Sequence, residues 1–177
     1  MNKIIFTLLL LFLHFKVSAD GITFIYIDLS DSPNKERVQQ LTEKIVKSNQ
    51  TYEFIIFISN DDEPILIDEV DKIQEVISSI NQVPSKPYIN KDIELINELM
   101  YKRNILKNNK VHFNFLLTPT NSANRFINKL LLTNRLVDRE GLDSDVKVSI
   151  YPFGDKETEE YKSNCNIFKE KKYEINY

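Results

Sequence analysis

Glycine is scarce in this chain, and its scarcity excludes a class of site. Only three of the 177 residues are glycine, namely Gly21, Gly141 and Gly154. A phosphate-binding loop needs glycines so that backbone N–H groups can approach the anion closely. Three dispersed glycines form neither a Walker-type loop nor a dinucleotide-binding fingerprint, so we do not expect nucleotide-dependent chemistry.

Thiol and imidazole side chains are also few. The sequence contains one cysteine, Cys165, and two histidines, His14 and His112. A single thiol cannot form an internal disulfide, so the fold must be held together by its apolar core. One cysteine and one histidine beyond the N-terminal segment cannot complete the usual zinc sites. We expect Cys165 to be buried and inert, the alternative being a bridge to another chain.

The N-terminal segment has the pattern of a secretory signal. Lys3 is followed by the apolar residues 4–15, and Val17-Ser-Ala19 places small residues where signal peptidase cuts. The apolar run is shorter than the roughly 20 residues that a membrane-spanning helix needs. We therefore predict a cleaved signal peptide over residues 1–19 and a secreted, periplasmic or otherwise extracytoplasmic location. An uncleaved membrane anchor is the alternative.

The predicted mature chain is acidic. Loss of residues 1–19 removes Lys3 and Lys16 and no acid, which changes the formal net charge from −3 to −5. Such a surface has no general attraction for nucleic acid or anionic lipid. We therefore expect a protein or glycan partner, no nucleic acid, and no membrane-spanning part after signal cleavage.

Apolar runs alternate with helical patterns beyond the predicted signal. The runs predict buried strands over residues 22–27, 54–58, 111–117 and 146–151. Apolar residues spaced by three and four predict helices over about 34–47, 64–80 and 91–106, and a fourth from Pro119 to Gly141. This alternation is typical of a mostly parallel sheet with helices on both faces. We predict an α/β fold, a Rossmann-like three-layer α/β/α sandwich.

The composition becomes polar after Gly154. For the polar segment we predict a short helix near residues 158–162 and a strand near 173–175. The predicted organisation is a signal peptide over 1–19, an α/β domain over 20–154 and a polar C-terminal tail over 155–177.

The end of the first predicted strand combines a carboxylate with two hydroxyls. Asp28-Leu-Ser30-Asp-Ser32 follows the apolar run directly and precedes a helical pattern. Open α/β sheets bind ligands at this edge, outside the carboxyl ends of their strands. Alternatively, Ser30 and Ser32 cap the helix and Asp28 accepts hydrogen bonds from backbone amides at its N-terminus.

This segment resembles the Asp-x-Ser-x-Ser signature of von Willebrand factor A domains, and the resemblance covers residues 20–154 with the same alternating order of elements. It implies a metal-ion-dependent adhesion site in which Asp28, Ser30 and Ser32 hold Mg²⁺ or Mn²⁺ and a partner's carboxylate completes the coordination. A hard divalent cation with oxygen ligands suits this residue set.

Two family ligands are replaced in this chain. Where the family has a threonine before its third helix, the nearest hydroxyl here is that of Ser85. Where the family has an aspartate after the following strand, this chain has Thr118. The metal ligands that the resemblance implies are therefore Asp28, Ser30 and Ser32, together with Ser85 and Thr118.

Three other polar residues have a structural and a functional interpretation. Asp61 and Asp62 follow the second predicted strand and would either restore the charge of the metal site or cap the next helix. His112 lies inside an apolar strand, where a histidine is usually a satisfied core or edge residue.

We predict an exported binding module that recognises a protein or glycan at the C-terminal rim of the sheet. The first alternative is a metal-assisted hydrolase that uses Asp28, Asp61 and Asp62, against which we note the absence of an evident general base or activated nucleophile. The second alternative is a vestigial domain that serves as a structural part of a secreted assembly.

Overall fold

A six-stranded sheet forms the centre of the fold. It is seen in a computed structural model, which describes residues 21–28, 35–49, 53–59, 65–67, 72, 75, 78, 89–102, 110–136, 143, 145–154 and 156–177. The predicted signal peptide lies outside the described residues.

Strands and helices alternate along most of the chain. The strands are β1 (Gly21–Asp28), β2 (Glu53–Ser59), β3 (Ile65–Ile67), β4 (Lys110–Leu117), β5 (Val146–Pro152) and β6 (Glu174–Ile175). The described helices are α1 (Lys35–Ser48), α2 (Ile89–Lys102), α3 (Asn121–Thr133) and α4 (Glu159–Glu170).

The strand order in the sheet is β3-β2-β1-β4-β5-β6. Strands β2, β1, β4, β5 and β6 are parallel to one another, and β3 pairs with β2 in the antiparallel direction at one edge. The prediction of an α/β fold with a mostly parallel, Rossmann-like sheet is confirmed. Strand β1 is central, so polar residues at its C-terminal end lie in the middle of one sheet edge.

The two faces of the sheet carry different helices. Phe24 and Tyr26 of β1 share an apolar cluster with residues of α2, α3 and α4, whereas Ile25 and Ile27 share one with Val38 of α1. Successive side chains of a strand point to opposite faces, so consecutive apolar residues are what a strand covered on both sides requires. We call the side of α2, α3 and α4 the three-helix face.

A strand stands where the sequence predicts the start of a helix. The helical pattern from Pro64 onward is wrong for Ile65–Ile67, which form β3 and pair with residues 56–58 of β2. Three consecutive apolar residues suit an edge strand as well as a helix, and pairing with the neighbouring strand decides between them. Farther along the predicted helix, Glu75 and Ser78 are helical.

Helix α3 ends earlier than predicted. Asn134 is the C-cap, and the next residue, Arg135, has a φ of 55°, so the helix stops at Thr133 rather than at Gly141. The N–H of Leu136 then donates to the carbonyl of Leu131 at 2.9 Å, and Leu136 is buried. A left-handed residue followed by such a bond and an apolar contact is a regular way to end a helix.

The polar segment after Gly154 contributes to the sheet and to the core. Helix α4 is longer than the short helix expected there, and Thr158 caps it by accepting a hydrogen bond from the N–H of Tyr161 at 3.3 Å. Strand β6 pairs with β5, and Phe168 and Tyr173 belong to the three-helix-face cluster.

Candidate functional site

The C-terminal ends of β1 and β2 bring two polar side chains together. Asp28 and Ser59 are the last residues of their strands and are register partners in the parallel ladder. Counting by two from Tyr26 and from Phe57, both of which lie in the three-helix-face cluster, places Asp28 and Ser59 on that same face. Asp28 is half-buried, and Ser59 is 2% exposed.

Helix α2 brings a second carboxylate to this position. Asp92 lies in its first turn and is completely buried. The hydroxyl of Tyr26 donates a hydrogen bond to Asp92 Oδ2 at 2.7 Å, which ties the helix to the central strand. We call Tyr26, Asp28, Ser59 and Asp92 the rim cluster.

Two oxygens of the rim cluster lack hydrogen-bond partners among the described residues. Neither Asp92 Oδ1 nor Ser59 Oγ makes a hydrogen bond of regular geometry with any residue that the structure describes. The Ser59 hydroxyl is nevertheless close enough to Asp92 to act on its ionisation. A buried oxygen without a partner costs about 1–3 kcal/mol of stability. Thr23, Asn114 and Tyr161 also contain such an oxygen, so it is the second carboxylate nearby that sets the rim cluster apart.

The electrostatics of the rim cluster disfavour negative charge. Burial raises the pKa of Asp92, and the nearby Asp28 carboxylate raises it further, while Ser59, Tyr26 and Lys91 act in the opposite direction. Burial and the two carboxylates raise the pKa of Tyr26 well above its usual value, so its hydroxyl keeps its proton. The site would therefore be stabilised by a positive charge placed between the two carboxylates.

The structure describes two of the five predicted metal ligands. Asp28 lies at the rim, as expected from the end of the first strand. Thr118 directly follows β4, and its Cγ2 atom would lie 3.1 Å from a Cβ atom built on Gly154, so this side chain packs toward the connection after β5. Gly154 has a φ of 94°, which a residue with a side chain rarely adopts.

The remaining predicted ligands fall outside the described residues. These are Ser30, Ser32 and Ser85, and the same holds for Asp61 and Asp62. Their placement relative to Asp28 stays a prediction.

Asp92 was not predicted as a site residue, although the sequence contains a signal for it. It lies four residues before Ile96 and seven before Leu99, both of which belong to or pack against the apolar core. Residues with this spacing share one face of a helix. An acid on the apolar face of a helix must find a buried partner, so its position on this face is the sequence signal for a site.

A second polar cluster joins β4, β5 and β6 on the opposite face. His112 Nε2 is 2.9 Å from Ser149 Oγ, and the Ser149 hydroxyl donates to Glu174 Oε2 at 3.2 Å. Lys147 Nζ lies 3.0 Å from the same Glu174 oxygen. We call these four residues the cross-strand cluster. It lines a groove of about 460 Å³ that also includes Asn49 at the end of α1.

The cross-strand cluster resembles a catalytic triad in composition but not in geometry. The serine lies between the histidine and the carboxylate, whereas a triad requires the histidine in the middle so that it can accept the proton of the serine. Ser149 is also only 1% exposed. Burial lowers the pKa of His112 to about 4, with Lys147 acting in the same direction. Its neutral imidazole donates to Ser149, since the single proton of the hydroxyl is directed to Glu174.

Cys165 is buried in α4, as the sequence predicts. Burial raises the pKa of its thiol, which disfavours the reactive thiolate. Within the described part of the chain, this cysteine therefore lacks the environment of a nucleophile.

Comparison with known proteins identifies no family. No protein-family model matches the chain, and no curated protein matches it significantly. Within the described ranges, no group of three or more histidine, cysteine, aspartate or glutamate side chains is placed to hold a metal ion. None of the described helices is long and apolar enough to cross a membrane.

Proposed function

We propose that this protein is an exported binding module that recognises a protein or glycan partner at the C-terminal rim of its sheet. The rim cluster carries this proposal, because it combines two neighbouring carboxylates with two buried oxygens that have no described hydrogen-bond partner. The cluster lies at the end of the central strand, where open α/β sheets bind their ligands.

The proposed module uses a divalent cation, Mg²⁺ or Mn²⁺, held by Asp28 with Ser30 and Ser32. Support comes from the resemblance of Asp28-Leu-Ser30-Asp-Ser32 to the adhesion-site signature of von Willebrand factor A domains and from the α/β fold. The unpartnered oxygens Asp92 Oδ1 and Ser59 Oγ also fit a hard cation, which prefers carboxylate and hydroxyl ligands. When bound, the ion would offer a coordination position to a carboxylate of the partner.

Export is proposed from the N-terminal sequence. Lys3, the apolar residues 4–15 and the small residues Val17 to Ala19 have the order of a cleavable signal. A secreted, periplasmic or otherwise extracytoplasmic location would give the rim access to partners outside the cytoplasm. Mass spectrometry of the exported protein tests this point, because an N-terminus at Asp20 is expected and a retained Met1 contradicts it.

A binding panel tests the proposed function. The immobilised protein is probed with acidic peptides and with oligosaccharides that do or do not contain uronic or sialic acids, in Mg²⁺ and in EDTA. We expect carboxylate-containing members of the panel to bind in Mg²⁺ only. Asp28→Ala should lose this binding, while Asp145→Ala, which changes an exposed acid near the opposite end of the sheet, should retain it.

The fold of the variant must be measured in parallel. Removal of the Asp28 carboxylate also removes its repulsion of Asp92, so we expect Asp28→Ala to melt close to the parent protein in EDTA. Binding that persists in Asp28→Ala contradicts the proposal. A large loss of stability in metal-free buffer contradicts it as well, because Asp28 would then be a structural helix cap.

A further inference from the structure

The rim cluster holds a carboxylate and a hydroxyl that the Asp-x-Ser-x-Ser pattern does not include. Building on the proposed function, we infer that Asp92 and Ser59 are additional ligands of the divalent cation bound by Asp28. The ion would then be held between β1, β2 and the first turn of α2.

Three elements direct these side chains to one place. Register pairing sets Asp28 beside Ser59, and strand periodicity points both toward the three-helix face. Helix α2 packs on that face through Ile93 and Ile96. Asp92, adjacent to Ile93, is thereby buried next to the two strand ends, close enough to Asp28 for the two carboxylates to influence each other.

Two buried oxygens without a described hydrogen-bond partner also support the inference. Asp92 is 0% exposed and Ser59 is 2% exposed, and each has an oxygen without a partner among the described residues. Burial of a carboxylate oxygen without a hydrogen bond is costly. A cation coordinated by both oxygens would remove this cost and the repulsion between Asp28 and Asp92.

The donor set defines the class of ion. Two carboxylates and one hydroxyl are all oxygen donors, which favour Mg²⁺, Mn²⁺ or Ca²⁺ over ions that prefer nitrogen or sulfur ligands. The Tyr26 hydroxyl occupies Asp92 Oδ2 at 2.7 Å and leaves Oδ1 for the ion. Tyr26 is therefore a positioning residue that orients a ligand through its second oxygen.

A purely structural role of Asp92 makes the opposite prediction. If Asp92 serves only to accept hydrogen bonds from Tyr26 and Ser59, its replacement by asparagine weakens that network and destabilises the fold. If Asp92 is a cation ligand, the ion-free protein carries a buried carboxylate whose charge is disfavoured by burial and by Asp28. In that case Asp92→Asn stabilises the ion-free protein, because asparagine still accepts the Tyr26 hydrogen bond and has no charge.

The experiment uses Mn²⁺ as the probe. Its affinity is measured by calorimetric titration, and melting temperatures are recorded in EDTA and in Mn²⁺. The variants are Asp92→Asn, Ser59→Ala, Asp28→Asn and the double variant Ser30→Ala/Ser32→Ala, and the control is Asp145→Asn. A ligand that binds only the native state raises the melting temperature by mass action, here by about 5–10 °C at 100 times Kd.

We expect Asp92→Asn to weaken Mn²⁺ binding at least about 100-fold and Ser59→Ala about 10-fold, judged from the effects known for residues around metal sites. Asp145→Asn should bind as the parent protein does. In EDTA, Asp92→Asn should melt above the parent protein, and in saturating Mn²⁺ it should melt below it. A structural role of Asp92 does not predict this reversal.

The variants separate this inference from the proposed function. If Asp28→Asn loses Mn²⁺ binding and Asp92→Asn retains it, the inference is overturned and the proposed adhesion-type site stands. If Asp92→Asn and Ser59→Ala lose binding while the double serine variant retains it, the inference stands and the resemblance-based ligand set is wrong. If the parent protein does not respond to Mn²⁺, the inference is overturned, and the panel of acidic peptides and glycans decides whether the rim binds partners without an ion.

Discussion

The rim cluster and the cross-strand cluster contain similar side chains in different states of pairing. In the cross-strand cluster, the side chains of His112, Ser149 and Glu174 form a continuous chain of hydrogen bonds that ends in an ion pair. In the rim cluster, Tyr26 and Asp92 form one hydrogen bond, and two buried oxygens have no described partner. Both clusters are built on parallel strands.

The two clusters differ in how many of their polar atoms have hydrogen-bond partners. The cross-strand residues satisfy one another across three strands, which fixes the register of β4, β5 and β6 without outside help. The rim cluster retains two buried oxygens, Asp92 Oδ1 and Ser59 Oγ, that have no hydrogen-bond partner among the described residues. We therefore assign the cross-strand cluster to stability and propose the rim cluster as the binding site.

Removal of one buried hydroxyl from each cluster should give the largest difference. Ser149→Ala removes the hydrogen-bond partner of His112 Nε2 while Glu174 keeps its ion pair with Lys147, and we expect it to cost about 1–3 kcal/mol. Ser59→Ala removes a hydroxyl that has no regular hydrogen bond with a described residue, so in metal-free buffer it should cost less than Ser149→Ala does. Urea unfolding of both variants in EDTA measures the difference, and equal losses would remove the distinction between the clusters.

Acid should weaken the cross-strand cluster through His112. Its pKa is lowered from 6.5 to about 4 by burial and by Lys147, while Glu174 raises it. The unfolded state therefore binds more protons between these pH values, and stability is lost as the pH falls through this window. We expect a loss of about 1 kcal/mol between neutral pH and about pH 5, after allowance for the partial exposure of the ring.

His112→Gln serves as the test of this pH dependence. It retains a hydrogen-bond donor toward Ser149 and removes the titrating group. Urea unfolding midpoints across the acid range should fall less steeply for His112→Gln than for the parent protein. Identical slopes would assign the acid sensitivity to other groups.

The rim cluster should respond to acid in the opposite direction. The pKa of Asp92 is raised from 3.8 in the folded state. The ion-free protein therefore loses stability as the pH rises from 3.8 through the raised pKa. Asp92→Asn should therefore gain about 0.5–1 kcal/mol at neutral pH in EDTA. The gain should vanish near the pKa of an unperturbed aspartate, where the parent carboxyl is protonated in both states. A gain that is independent of pH would point to packing rather than charge.

The exposed ion pair of the cross-strand cluster should matter least. Lys147 and Glu174 are 3.0 Å apart, but each side chain is 53% exposed. Exposed ion pairs contribute about 0.2–1 kcal/mol and are screened by salt. Lys147→Ala should have an effect at the lower end of this range at low NaCl concentration and a smaller one at high concentration. An effect larger than that of Ser149→Ala would show that charge rather than the buried hydroxyl stabilises this cluster.

The central strands could be predicted because each is an apolar run of five to seven residues, too short for a helix and bounded by polar residues. Strands β1, β2, β4 and β5 lie where the apolar runs predict them, within one or two residues. Strand β3 could not be separated from a helix, since its three residues become a strand by pairing with β2. The length of α4 was also underestimated, because its polar residues hide the buried positions Phe168 and Cys165.

The rim cluster shows the same division. The position of Asp28 at the end of β1 follows from the apolar run over residues 22–27 that it directly follows. Asp92 is 66 residues from Tyr26 in the chain, so no local sequence pattern predicts their contact. Which face of α2 contacts which strand is decided by the packing of Ile93 and Ile96 on the sheet.

By itself, the sequence determined the class of fold, the order of the central strands along the chain and the carboxylate at the end of β1. These features follow from local periodicity and from the covering of a parallel sheet on both faces. Only the tertiary structure decided that Asp92 joins Asp28 and that His112 meets Ser149 and Glu174. Such contacts depend on sheet register and helix packing, which arise from the burial of the whole core rather than from any one segment.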